Sequence, residues 1–130
     1  MEVVACFLKY KDEFLFLKRH PSKSEGSTWC VPGGKREESE ELNEAMSREI
    51  YEETQLIIPR DVLSFVKTTF ARYPKFDFLY HLFCYDFSDL PPKVTINNEE
   101  HEIAQWISLS NVFQLALTPG IEEALNIIYP

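Results

Sequence analysis

The sequence predicts an α/β (α+β) fold in which a mixed β-sheet is sandwiched between α-helices, and three observations carry that expectation. Several β-rich apolar runs stand before and after a single strongly helical segment. A second helical pattern closes the chain. At 130 residues, 45% of them hydrophobic, the chain has the length of one domain with a substantial core, so residues 1–130 are read as a single domain.

Residues 3–10 and 14–18 flank the polar turn Lys11-Asp12-Glu13 and predict a β-hairpin whose unbroken apolar runs are covered on both faces. Residues 20–28 have loop chemistry. A short strand at 29–31 stops at Pro32-Gly33-Gly34, and the first helix is expected from Glu40 to about Gln55, with Ser39 as its N-cap and Pro59 barring continuation. Two long strands follow, 62–73 and 76–87, joined near Tyr73-Pro74-Lys75. The remaining elements are a loop around Leu90-Pro91-Pro92, a strand over 103–109, a short helix or turn within 110–117, and a C-terminal helix opened by Pro119 and marked by Ile121, Leu125 and Ile128.

Composition excludes several functions. A net charge of −8 disfavours a stable nucleic-acid complex, which needs clustered Lys and Arg. No apolar run approaches the roughly 18–20 residues of a membrane span, and the N-terminus lacks the features of a signal peptide. A cytoplasmic protein without membrane attachment is expected, as a monomer or homodimer. Cys6, Cys30 and Cys84 are odd in number and lack paired spacing. They read as small hydrophobes, and a Cys/His metal cluster with His20, His81 or His101 is not expected.

The helix at 40–55 departs from an ordinary amphipathic pattern. With Leu42 at 0° on a wheel of 100° per residue, Ala45 falls at about 300°, Met46 at about 40° and Ile50 at about 80°, which defines the core-facing stripe. Glu49 at about 340° and Glu53 at about 20° lie inside that stripe, and Glu52 at about 280° lies on its border. Carboxylates turned toward a core are costly unless compensated, and these also sit at the unfavourable end of the helix dipole. Arg48 can pair with Glu52 or Glu44, but one guanidinium cannot neutralise three acids. A hard divalent cation such as Mg²⁺ can. The alternative is a glutamate face on a wet cleft, held by lysines from elsewhere in the chain.

From Gly34 onward, Gly-Lys-Arg-Glu-Glu-Ser-Glu40, seven residues, then Arg48-Glu49-Ile50-Tyr51-Glu52-Glu53-Thr54-Gln55-Leu56 resembles the Nudix box, G-x5-E-x7-R-E-U-x-E-E-x-G-U. Every fixed position matches except the last glycine, which is Gln55. Trp29-Cys30-Val31-Pro32-Gly33-Gly34 resembles the segment that often precedes that box, and the resemblance extends over nearly the whole chain. It implies a Nudix-like fold and a Mg²⁺- or Mn²⁺-dependent hydrolase of nucleoside diphosphates linked to another moiety. By position, Glu49, Glu52 and Glu53 would hold the metal, with Glu49 also a candidate base, the Gly33 carbonyl a further ligand, Arg48 an orienting cation and Glu40 a supporting acid. Glu100, six residues before Trp106, would be the glutamate recruited from the later loop, with Glu99 and Glu102 as alternatives.

Arg19 and Lys35, with Lys18 and Arg36 beside them, are candidates for phosphate contact. Tyr73 and Phe78, with Phe70 and Phe76, are candidates for stacking a base. The small chain is similar to the MutT-like branch, which implies conversion of an NTP or oxidised dNTP to NMP and pyrophosphate. The spacing of Tyr73 instead resembles diadenosine polyphosphate hydrolases, and ADP-ribose hydrolysis is a further alternative. A non-catalytic Nudix-fold sensor of nucleotide or RNA would not need all three glutamates with Arg48. The departure at Gln55 removes no ligand, and predicts a left-handed helix end at a cost of about 1 kcal/mol.

Overall fold

The computed structural model describes residues 1–72 and 77–130. The hairpin forms as expected. Strands β1 (Glu2–Tyr10) and β2 (Glu13–Arg19) pair antiparallel from Tyr10 opposite Glu13, with Lys11 in a left-handed conformation at the turn. Val4–Leu8 and Phe14–Leu17 are buried at consecutive positions, so both faces of these strands are covered. Short strands β3 (Trp29–Cys30) and β4 (Gly33–Lys35) then pair with β2 and β1 respectively.

Helix α1 (Leu42–Thr54) begins later than the sequence pattern predicts, and Ser39 is not its N-cap. Ser39 takes a left-handed conformation in the preceding turn, and Glu41 caps instead. Glu44 completes a reciprocal capping box by accepting from the Glu41 N–H at 3.3 Å. Ala45, Met46 and Ile50 carry the buried face of the helix. Its end is the left-handed Gln55, at φ 62° and ψ 12°, whose N–H donates to Tyr51 O at 2.8 Å.

A 3-10 turn at Arg60–Val62 leads into β5 (Ser64–Arg72), which pairs antiparallel with β6 (Asp77–Phe87). β6 runs parallel to β1, with Val4 opposite His81 and Leu8 opposite Tyr85. This parallel pair makes the sheet mixed; five of its seven described strands follow the order β3-β2-β1-β6-β5, with β4 on β1 and β7 (His101–Ser108) on β2. β7 adds to the free edge of β2 and starts two residues earlier than expected. Helices α2 (Leu109–Val112) and α3 (Ile121–Ile128) close the chain. Ile121, Ala124 and Leu125 of α3 are buried, and Tyr129 packs edge-on against Phe14 of β2. No helix among the described residues is long and apolar enough to cross a membrane.

One local test concerns Gln55. Glycine has no Cβ penalty at positive φ, so Gln55→Gly should raise unfolding stability by about 1 kcal/mol in urea denaturation. Loss of stability on that substitution would contradict the strained helix end.

Candidate active site

The site is assembled where the C-terminal half of α1 lies against β4. Glu53 is the most constrained group, with only 6% of its surface exposed. Its Oε1 accepts a hydrogen bond from the Gly33 backbone N–H at 2.7 Å. Burial pushes its carboxyl well above the ordinary range, opposed by that hydrogen bond. The approach depends on two glycines. A Cβ on Gly33 would sit 2.4 Å from Val4 O on β1, and one on Gly34 would sit 2.5 Å from the Glu49 carboxylate. The expected Pro-Gly-Gly break is therefore a place where backbone must pass close to both a neighbouring strand and an acid.

Arg48 organises the other carboxylates. It makes a bidentate pair with Glu40 (Nε–Oε2 2.7 Å, Nη2–Oε1 2.8 Å) and donates from Nη1 to Glu49 Oε1 at 2.9 Å and to Glu52 at 3.3 Å. Its Nη2 also reaches Lys35 O at 3.1 Å, tying α1 to β4. The fork–fork geometry holds the Glu40 carboxyl below its usual range. The Glu44 pairing considered from sequence does not form, because Glu44 turns to the helix N-terminus and pairs with Arg60 at 3.2 Å. Glu49 keeps a pKa raised to about 7, chiefly by burial, even with Arg48 beside it.

Glu49, Glu52 and Glu53 share one acidic pocket of about 530 Å³ with Gly33, Gly34, Arg19, Lys35, Asn97 and Glu100. The structure thus brings Glu100 to the glutamates of α1. The two alternatives do not line this pocket: Glu102 pairs with Lys18 at 3.4 Å, and the Glu99 N–H bonds Asn97 Oδ1. Lys18 and Arg36 likewise stand outside it, Arg36 being paired with Glu2 and donating to Glu40 O. Asn97 was not singled out by the sequence. Its carbonyl accepts from the N–H groups of Glu100 and His101, both at 3.0 Å, so it shapes the turn that presents them. Such a turn-forming Asn two residues before an acidic run is a readable signal.

A second cavity of about 210 Å³ adjoins the first, and the two share Arg19, Gly33, Gly34, Lys35 and Glu53. Val3, Phe78, Tyr80 and Ile121 give it an apolar wall. Phe78 is buried there in an edge-to-face contact with Tyr80, 5.5 Å between centroids. Phe70 is elsewhere, exposed on β5 beneath the Arg72 guanidinium. Tyr73 and Phe76 lie outside the described residues.

The three cysteines are free, Cys6 and Cys30 buried and Cys84 half-buried. The expected isolation of cysteine from histidine fails at one place. Cys30 Sγ lies 3.7 Å from His101 Nε2, because β3 and β7 flank opposite edges of the same strand, β2. Burial pushes the Cys30 thiol up to about 12 and lowers His101 to about 4, leaving the imidazole neutral at physiological pH. Glu53, Glu100 and His101 each offer a potential metal-ligand atom, and these atoms lie within 4.8 Å of one another.

A pH dependence follows for the chelator-treated protein. A carboxyl whose folded pKa is raised contributes stability that is complete below its unfolded value and is lost as pH rises through the folded one. For Glu49 that window runs from its ordinary 4.5 to about 7, and Glu53 acts in the same direction. Urea stability in chelator should therefore fall between pH 5 and pH 8, with a shallower fall for Glu49→Gln. A wild-type profile that rises across this window would contradict the desolvated acid pair.

A family model described as the NUDIX domain matches residues 1–127. Mouse 8-oxo-dGDP phosphatase NUDT18 is 36% identical over 77 residues, covering 59% of this chain. The chain matches only about a quarter (24%) of the length of that relative. A MutT NUDIX hydrolase from Burkholderia pseudomallei superposes with a TM-score of 0.83 at 20% identity, covering 97% of this chain and 95% of that one. The NUDIX domain of Shewanella oneidensis NrtR, solved with ADP ribose, superposes with a TM-score of 0.82 at 20% identity, covering 98% and 85%. The two structures establish the shared fold, and the family model, matched over nearly the full length, establishes that this chain belongs to the Nudix family.

Proposed function

We propose that residues 1–130 act as a single Nudix domain, a divalent-metal-dependent pyrophosphohydrolase that cleaves a nucleoside di- or triphosphate, with oxidised purine nucleotides as the preferred class. The observation that carries this reading is the pair of adjoining cavities, one apolar and one acidic, meeting at Arg19, Gly33, Gly34, Lys35 and Glu53. A nucleotide has the same division, an apolar base at one end and phosphates at the other. The partial likeness to mouse 8-oxo-dGDP phosphatase supports the choice of nucleotide class.

The donor set fits a hard divalent cation. Glu53 is a buried carboxylate whose only polar contact of hydrogen-bond length among the described residues is the Gly33 N–H, and Glu49, Glu52 and Glu100 line the same pocket. Glu49, Glu52, Glu53 and Glu100 with the Gly33 carbonyl would hold Mg²⁺ or Mn²⁺. When bound, such an ion supplies positive charge that polarises phosphoryl oxygens and acidifies water.

The chain's own residues supply the rest. Arg48 is a positioning residue that fixes one oxygen of Glu49, leaving Glu49 to take the proton of the attacking water. Water attacks phosphorus, the P–O anhydride bond breaks, and the electron pair leaves with the departing phosphate. Arg19 and Lys35, at the junction of the two spaces, bind phosphate oxygens. Phe78, with Tyr80, packs against the base. The three free thiols fit a cytoplasmic location.

The test is a panel of dNTPs, 8-oxo-dGTP, 8-oxo-dGDP, diadenosine tetraphosphate and ADP-ribose, assayed with Mg²⁺ or Mn²⁺ by direct separation of products. The expected result is metal-dependent release of a nucleoside monophosphate, fastest from an oxidised purine nucleotide. Glu53→Gln should lower the rate by about 10²-fold or more. Metal-bound protein that leaves every nucleotide intact would overturn the proposal in favour of a binding role.

A further inference from the structure

His101 has no role in the proposed reaction, yet among the described residues it carries a buried side-chain nitrogen left without a hydrogen bond. Its side chain is 1% exposed, and among the described residues Nδ1 has no hydrogen-bond partner. Nε2 lies 3.8 Å from Glu53 Oε2, too far for a hydrogen bond, and 3.7 Å from Cys30 Sγ. The sulfur is a weak partner whose own proton is directed to Leu17 O at 3.4 Å. Nε2, the nitrogen that faces Glu53, therefore has only the weak sulfur contact, and a cation beside Glu53 would take that nitrogen and leave the ring proton on Nδ1.

The backbone holds the ring where it is. His101 pairs with Arg19 across β2 and β7, and its N–H bonds Asn97 O at 3.0 Å. That is the same carbonyl that receives the Glu100 N–H, so one turn delivers both side chains to Glu53. The potential ligand atoms of Glu53, Glu100 and His101 fall within 4.8 Å of one another, a spacing that a single cation can span after small side-chain adjustments.

We infer that His101 is a direct nitrogen ligand of the divalent cation held at Glu53 and Glu100, and that it shifts the preference of the centre from Mg²⁺ toward Mn²⁺ or another borderline ion. The inference rests on the metal-dependent reading above and adds to it a ligand of a different chemical kind. Mg²⁺ demands oxygen ligands and gives up water reluctantly, whereas imidazole nitrogen suits the borderline transition metals. An all-carboxylate centre gains little from exchanging Mg²⁺ for Mn²⁺, while a centre with one imidazole gains one favourable bond.

Pulsed electron paramagnetic resonance of the protein with substoichiometric Mn²⁺ tests this without any turnover. The expected spectrum shows modulation from directly bound ¹⁴N, replaced by the ¹⁵N pattern after histidine labelling. The modulation should be lost in His101→Gln and kept in His20→Gln. Mn²⁺ affinity should fall on the order of tenfold or more in His101→Gln, with a smaller fall for Mg²⁺. Bound Mn²⁺ without nitrogen modulation in the wild type, or modulation that survives His101→Gln, would overturn the inference and leave the hydrolase reading standing. Mn²⁺ that remains the free aqua ion would overturn both. If the buried substitution prevents folding, the assignment rests on His20→Gln and His81→Gln: modulation kept in both leaves His101 as its source, and modulation lost in either overturns the inference.

Discussion

The hydrogen bond from Gly33 N–H to Glu53 is the contact on which the rest of the site depends. It fixes a buried carboxylate at the junction of α1 and β4, with Glu49 one turn earlier on the same helix over Gly34. The adjacent backbone of β1 requires glycine at position 33, while a side chain at position 34 would push the Glu49 carboxylate aside. The β1–β4 pairing, Ala5 opposite Gly33 and Val3 opposite Lys35, then sets the register of the glycines against the sheet core. A packing constraint in the sheet is in this way transmitted to the position of an acid.

The acids of α1 are divided between two kinds of support. Arg48 compensates the outer group, taking Glu40 bidentately, Glu49 by one contact and both oxygens of Glu52 from Nη1 at 3.3 Å. These pairs are partly solvent-exposed, and their value lies more in orientation than in stability. Glu53 stands apart, beyond the reach of those contacts, and among the described residues its hydrogen bond comes from the Gly33 N–H, with the charge of Arg19 acting in the same direction. That arrangement turns the acids of α1 and Glu100 toward a pocket whose lining cations, among the described residues, are Arg19 and Lys35. An acidic pocket of this kind repels a polyphosphate unless a cation reverses its sign.

Much of this was legible in the sequence because a helix of 13 residues has a fixed period. The wheel placed Glu53 and Glu49 within the apolar stripe and Glu52 at its border, and the observed burial follows that order. The hairpin was legible from consecutive apolar residues. The N-cap was not, because Ser39 has the right chemistry but lies in a left-handed turn, and Glu41 serves through its partnership with Glu44. Pairings across the fold were also hidden. Lys18 and Arg36 are basic residues next to site positions, yet Glu102 and Glu2 engage them, one across β2 and β7 and the other at the start of β1. The approach of Cys30 to His101 depends on two strands, 71 residues apart, choosing the same neighbour. Linear spacing carries no information about that choice.

The proposed function requires a cation at Glu53, and the most direct measurement is unfolding free energy against divalent-ion concentration. A specific site stabilises by RT ln(1 + [L]/Kd), about 2.7 kcal/mol at a hundred times Kd. The account predicts that wild-type stability climbs along this curve with Mn²⁺ or Mg²⁺, and that Glu53→Gln, more stable than wild type in chelator, gains little from either ion. Wild-type stability that ignores divalent ions, or a Glu53→Gln variant that gains as much as wild type, would contradict it.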